Sequence, residues 1–111
     1  MQREPAYLLD ILNSAMKAVE YVNGKTLDEF LEDSQNQDAV IRRIEIIGEA
    51  AGRINQDFQN QYPELPWKEM KAMRNLLIHE YDDVDAEEVW KTVKTDLPEL
   101  IRMLQEIIPS L

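Results

Sequence analysis

The segment Met73-Arg74-Asn75-Leu76-Leu77-Ile78-His79-Glu80-Tyr81-Asp82-Asp83-Val84-Asp85 holds the residues best suited to chemistry, including the only histidine of the chain. Histidine is the side chain whose ordinary pKa lies close to neutral pH, so it can accept or donate a proton under mild conditions. Arginine presents a fixed, always-charged fork that matches phosphate oxygens. Together they fit transesterification at a ribose phosphate. A base takes the 2′-hydroxyl proton, an acid protonates the leaving 5′-oxygen, and a cation steadies the crowded phosphate.

The spacing restricts how this can work. Side chains five positions apart on a helix differ by about 140° in direction. Arg74 and His79 therefore converge only if the helix loosens near Ile78, or if two copies share one cleft across a two-fold axis. The second arrangement gives a chain with a single histidine both an acid and a base. Taken by themselves, an arginine and a histidine at this interval also occur by chance, and a lone histidine at a helix end commonly caps carbonyls.

Neighbouring residues fall into plainer roles. Asp82, Asp83 and Asp85 lack the ligand spacing and glycine of a calcium loop, so no metal and no cofactor is expected. Trp67 and Trp90 read as core or interface anchors. Glu49 lies among Gly48, Ala50 and Ala51, small residues that permit close helix approach. It could pair with an arginine near the cleft or simply face solvent. Tyr81 could be a packed ring with a solvated hydroxyl.

The elements that must position these residues read as helices. A first helix starts near Glu4, with Pro5 in its first turn and an apolar stripe of Leu8, Ile11, Leu12, Ala15, Val19 and Val22. Asn23-Gly24 ends it. Thr26 and Glu29 form a capping box for a short helix bearing Leu27, Phe30 and Leu31. Ser34 to Asp38 reads as a polar connection. A long helix from about Asp38 to Asn60 carries Val40, Ile44, Ile47, Ala51, Ile54 and Phe58 at alternating steps of four and three. Ile41 and Ile46 beside that stripe offer a second apolar surface.

Pro63 and Pro66 break the chain, and Pro66 is placed to open a helix from Trp67 to about Ile78. Glu80 to Asp85 reads as a turn, with Asp85 capping a last helix that carries Val89, Trp90, Val93, Leu97, Leu100, Leu104 and Ile107. Pro98 inside that pattern predicts a kink or a new start capped by Asp96. No run alternates as a strand does. The expected fold is all-α: one domain, 1–111, an antiparallel four-helix up-and-down bundle plus one short helix.

Composition sets the outer bounds. The chain has 111 residues and no cysteine, so disulfides and thiolate metal sites are excluded and packing alone must hold the fold. No run of about 18 apolar residues exists, and the N-terminus lacks the pattern of a signal peptide, so a cytoplasmic protein is expected. The net charge is −10, which disfavours a polyanionic partner. Its distribution is uneven: residues 1–39 and 76–111 carry −5 and −6, while 40–75 carry +1. The middle third is the stretch least hostile to phosphate, and the acidic ends suit solubility or a basic protein partner.

The Arg74-x4-His79-x-Tyr81 pattern resembles the signature of the HEPN family in its HepT-type toxin branch. The resemblance extends to Ile47-Gly48-Glu49-Ala50-Ala51, Pro63-Glu64-Leu65-Pro66-Trp67, Val84-Asp85, Val89-Trp90 and Asp96-Leu97-Pro98-Glu99-Leu100, in order along most of the chain. It implies a homodimer whose shared cleft is lined by Arg74 and His79 of both copies. The implied activity is that of a metal-independent endoribonuclease, acting on tRNA or mRNA and leaving 2′,3′-cyclic phosphate ends. Asn75 would orient substrate or His79. It further implies a toxin–antitoxin pairing with an MNT-type nucleotidyltransferase, which can transfer AMP to Tyr81. Bulk and negative charge would then stand where the RNA phosphate sits. Two rival readings remain: a non-catalytic helical subunit that holds a nucleotidyltransferase or its substrate, and a ligand-binding bundle that leaves the Arg74–Tyr81 segment without a role.

Overall fold

The computed structural model describes residues 3–78 and 85–111, and for 75–78 the backbone alone. Among the described residues every regular element is helical: α1 (Glu4–Tyr21), α2 (Leu27–Leu31), α3 (Ser34–Arg53), α4 (Gln56–Gln61), α5 (Trp67–Ile78), α6 (Ala86–Lys91) and α7 (Leu97–Ile107). A π-helical turn, Thr92–Asp96, joins α6 to α7, and a short 3₁₀ turn, Ile108–Ser110, follows. The all-α class expected from the periodicity is the fold observed among the described residues, and it is consistent with the HEPN-like bundle that the resemblance implies.

The apolar stripes account for the arrangement. Leu8, Ile11 and Ala15 of α1, Val40, Ile44 and Ile47 of α3, Met70 of α5, and Leu97 and Leu104 of α7 are wholly buried. Helix α3 is packed between α1 and α5, and α7 covers another side of α1. Helices α1 and α3 run antiparallel. Asn36 at the start of α3 donates to the Tyr21 carbonyl at the end of α1 (2.9 Å), and Asn55 just past α3 donates to Glu4 at the start of α1 (3.3 Å). Of the side pair Ile41 and Ile46, Ile41 packs against the core and Ile46 is half-buried.

Local signals set several boundaries as expected. Pro5 lies in the first turn of α1, and Gly24 beyond its end adopts φ of +76°, the left-handed conformation that glycine enters without steric cost. Thr26 and Glu29 form the reciprocal capping box, and the hydrogen bonds from Thr26 hold the Glu29 carboxyl below its ordinary pKa. Asp85 accepts from the backbone N–H groups of Glu87 and Glu88.

Three expectations are corrected. The polar stretch Ser34 to Asp38 is the first turn of α3, capped by Asp33. Its polar side chains close other helices: Asn36 takes the Tyr21 carbonyl, while Gln37 takes those of Phe30 and Leu31 at the end of α2. Secondly, the long third helix ends at Arg53. Asn55 caps a separate α4 by accepting from the Phe58 N–H at 2.8 Å, yet Phe58 still reaches the core. Thirdly, Asp96 makes no capping bond. Pro98 cannot donate to the carbonyl four residues back, and the chain answers with a π-helical turn closed by Leu97 N–H to the Thr92 carbonyl.

Packing of α3 carries much of the stability. Ile44→Ala should lower the unfolding free energy by about 2–5 kcal/mol in a urea titration, since the side chain is fully enclosed and its removal leaves a cavity.

Candidate active site

Arg74 lies on α5, and three features fix that helix. Its start is tied to the preceding turn. The Trp67 indole N–H donates to the Tyr62 carbonyl at 2.8 Å, and the Trp67 backbone N–H donates to the Leu65 carbonyl at 2.9 Å. A second tie crosses from α4. Buried Gln59 donates to the Ile54 carbonyl at 2.9 Å and accepts from the Lys71 ammonium at 3.1 Å. One side chain thus satisfies the end of α3 and holds α5, one turn before Arg74.

The third feature is the crossing of α3 and α5. A Cβ placed on Gly48 would stand 2.6 Å from both the Cβ and the backbone nitrogen of Arg74, and 2.9 Å from its Cα. Glycine at 48 therefore lets the two backbones meet at the residue that carries the guanidinium. The Arg74 side chain is exposed, and the preceding Met73 is buried. Successive residues on a helix point about 100° apart, so one turn of α5 serves the core and the surface together.

Glu49 follows Gly48 and is half-buried. Its described ion pair is with Arg42 of the same helix, 4.0 Å away; Arg42 also bonds Glu45. This contact runs along α3, and no described bond joins Glu49 to Arg74. His79, Tyr81, Asp82 and Asp83 lie outside the described residues, as does the Asn75 side chain. The convergence of Arg74 with His79 accordingly stays an expectation. Among the described residues no cluster of three potential metal ligands occurs. Trp67 is buried, and half-buried Trp90 packs on Phe30 with ring centroids 5.3 Å apart and the Lys94 ammonium 4.8 Å above its ring. Both tryptophans therefore act in packing.

A groove of about 330 Å³ opens between α5 and α7. Met73, Leu100 and Met103 form its apolar part, and Glu64, Glu69, Asp96 and Glu99 surround it. Arg102 bonds Glu99, holding that carboxyl below its usual range. Four carboxylates beside an apolar floor repel a phosphate chain.

Sequence reasoning singled out Arg74 and noted that Gly48 permits close approach, but it did not say which residue Gly48 meets. A glycine beside the apolar stripe of a helix can signal such a contact, but Gly52 of the same helix makes none, so the sequence does not tell the two apart. The tie through Gln59 and Lys71 has no signature, because glutamine and lysine occur routinely on helix surfaces.

Among the described residues the chain is an all-helical bundle that seats an exposed arginine on a glycine-mediated helix crossing, and in sequence that arginine stands five residues before the only histidine. A family model described as Ribonuclease HepT-like matches residues 11–107, and the chain belongs to that family. It is 42% identical over 106 residues to a Methanocaldococcus jannaschii protein bearing a provisional RNase name, covering 96% of this chain and 88% of that one. It is 47% identical over 94 residues to a Thermococcus cleftensis protein named "Probable ribonuclease HepT", covering 85% and 86% respectively. No solved structure matches significantly. No described helix is long and apolar enough to cross a membrane.

The Gln59 tie gives a direct prediction. Gln59→Leu should cost about 1–3 kcal/mol by leaving the Ile54 carbonyl without its partner. Hydrogen exchange of the α5 amides should accelerate more than that of the α1 amides.

Proposed function

We propose that this chain is the ribonuclease toxin of a toxin–antitoxin pair, cutting RNA without a metal ion through a site that two copies complete together. The observation that carries the reading is an exposed Arg74 held against α3, within the matched region of a ribonuclease family. Arg74 binds the scissile phosphate and offsets charge that grows on its oxygens. One His79 takes the proton from the ribose 2′-hydroxyl, whose oxygen attacks phosphorus. The His79 of the second copy protonates the departing 5′-oxygen, leaving a 2′,3′-cyclic phosphate and a 5′-hydroxyl. Asn75 orients the substrate or an imidazole. The active species is a cytoplasmic homodimer.

The proposed antitoxin is an MNT-type nucleotidyltransferase that transfers AMP to Tyr81, two residues past His79. The added phosphate occupies the space and charge environment intended for RNA. The net charge of −10 and the acidic groove support a second reading, a non-catalytic helical subunit that binds the nucleotidyltransferase or its substrate.

Purified protein, expressed without its partner, should cleave RNA in the presence of a chelator. Arg74→Ala and His79→Ala should each reduce the rate by about 100-fold or more while leaving the helical circular-dichroism spectrum unchanged. Cleavage by the His79 variant at the wild-type rate would overturn the nuclease reading, and inactivity of the unmodified wild type would favour the second one. Co-expression with the nucleotidyltransferase should add the mass of AMP to wild-type protein and not to Tyr81→Phe.

A further inference from the structure

Helix α3 contains two glycines one turn apart, and their surroundings differ. At Gly52 a Cβ would meet nothing within 4 Å. At Gly48 it would meet the backbone nitrogen, Cα and Cβ of Arg74 at 2.6–2.9 Å, where ordinary contact begins near 3.4 Å. Two of the three atoms are backbone, so no rotamer change relieves the overlap. Any side chain at 48 must displace α5 by most of an ångström or tilt it, and the displacement is centred on Arg74.

We infer that Gly48 is a positioning residue for catalysis: it sets the depth at which the Arg74 guanidinium meets the scissile phosphate. The inference rests on the nuclease reading and adds a residue to it. A ribose phosphate about to react needs its cation within hydrogen-bond reach of oxygens that move little, and an error near 1 Å can cost roughly 100-fold in rate. Two other restraints on α5, the Trp67 and Gln59 ties, act near its start. Gly48 acts at the arginine itself. A glycine inside a helix is intrinsically unfavourable relative to alanine, and at Gly52 nothing nearby opposes alanine. At Gly48 the opposing contact is Arg74.

The test is a set of full-length variants assayed for RNA cleavage and, by salt titration, for RNA binding. Gly52→Ala should cleave as wild type does and melt at an equal or higher temperature. Gly48→Ala, assayed well below its own melting temperature, should lose about 100-fold in kcat with a smaller change in KM. The slope of log affinity against log salt should fall by roughly one phosphate contact, as in Arg74→Ala. The combination Gly48→Ala with Arg74→Ala should be no slower than Arg74→Ala alone, since the glycine acts through the arginine.

The inference is overturned if Gly48→Ala cleaves like Gly52→Ala, or if its loss persists undiminished on the Arg74→Ala background. It is also overturned if Gly48→Ala does not fold at any temperature, which would make the glycine a requirement of packing alone. A wild type that does not cleave, or an Arg74→Ala variant that cleaves normally, removes the nuclease reading and this inference with it. Wild-type activity, a defective Arg74→Ala and a normal Gly48→Ala remove the inference only.

Discussion

Contact between two helix backbones governs where this protein can present a cation. Helix α5 carries Arg74, and the chain brings it against α3 by leaving out a side chain at Gly48. Helices normally pack about 8–10 Å apart, kept there by the side chains between them. Removing the side chain at one point sets the depth of α5 and gives its outer face to solvent. The crossing, the tie through Gln59 and the Trp67 anchor then act on one rigid element from successive points along its length. Core packing and arginine placement are thereby one constraint, because Met70 and Met73 of the same helix are buried.

Electrostatics divides the surface around that helix. The chain is acidic overall, and its charge is unevenly distributed. The ends carry most of the negative charge, and the acidic groove lies between α5 and α7. On α3, Arg42 engages Glu45 and Glu49. Such exposed pairs add little stability, but they reduce the negative field on the helix that supports Arg74.

Much of the architecture was legible in the sequence because its signals were local and redundant. Thr26 with Glu29, Asp85, and Pro5 marked helix starts, and the stripe from Val40 to Phe58 named residues that are all buried. The errors came where one signal masked another. Phe58 kept the apolar period beyond Arg53, so the break at Asn55 was hidden by a stripe that continues across two helices. Ser34 to Asp38 read as a connection because polar residues cap as readily as they solvate. Only the folded arrangement shows Asn36 and Gln37 closing the ends of α1 and α2. At the candidate site, residue types pointed to Arg74, His79 and Tyr81. The depth of α5 depends on a contact between residues 26 positions apart, which periodicity along one helix does not encode.

The π-helical turn ahead of Pro98 has a bearing on the register of the helices around it. A wide turn of this kind takes up one residue beyond the regular winding, so the helices on either side keep their facing with that residue included. Val89 before it, Val93 within it and Leu97, Leu100 and Leu104 after it all reach the same interior. The turn therefore holds its extra residue without rotating everything downstream. Elsewhere in the bundle, one added residue would turn the following apolar stripe by about 100° and carry it out of the core.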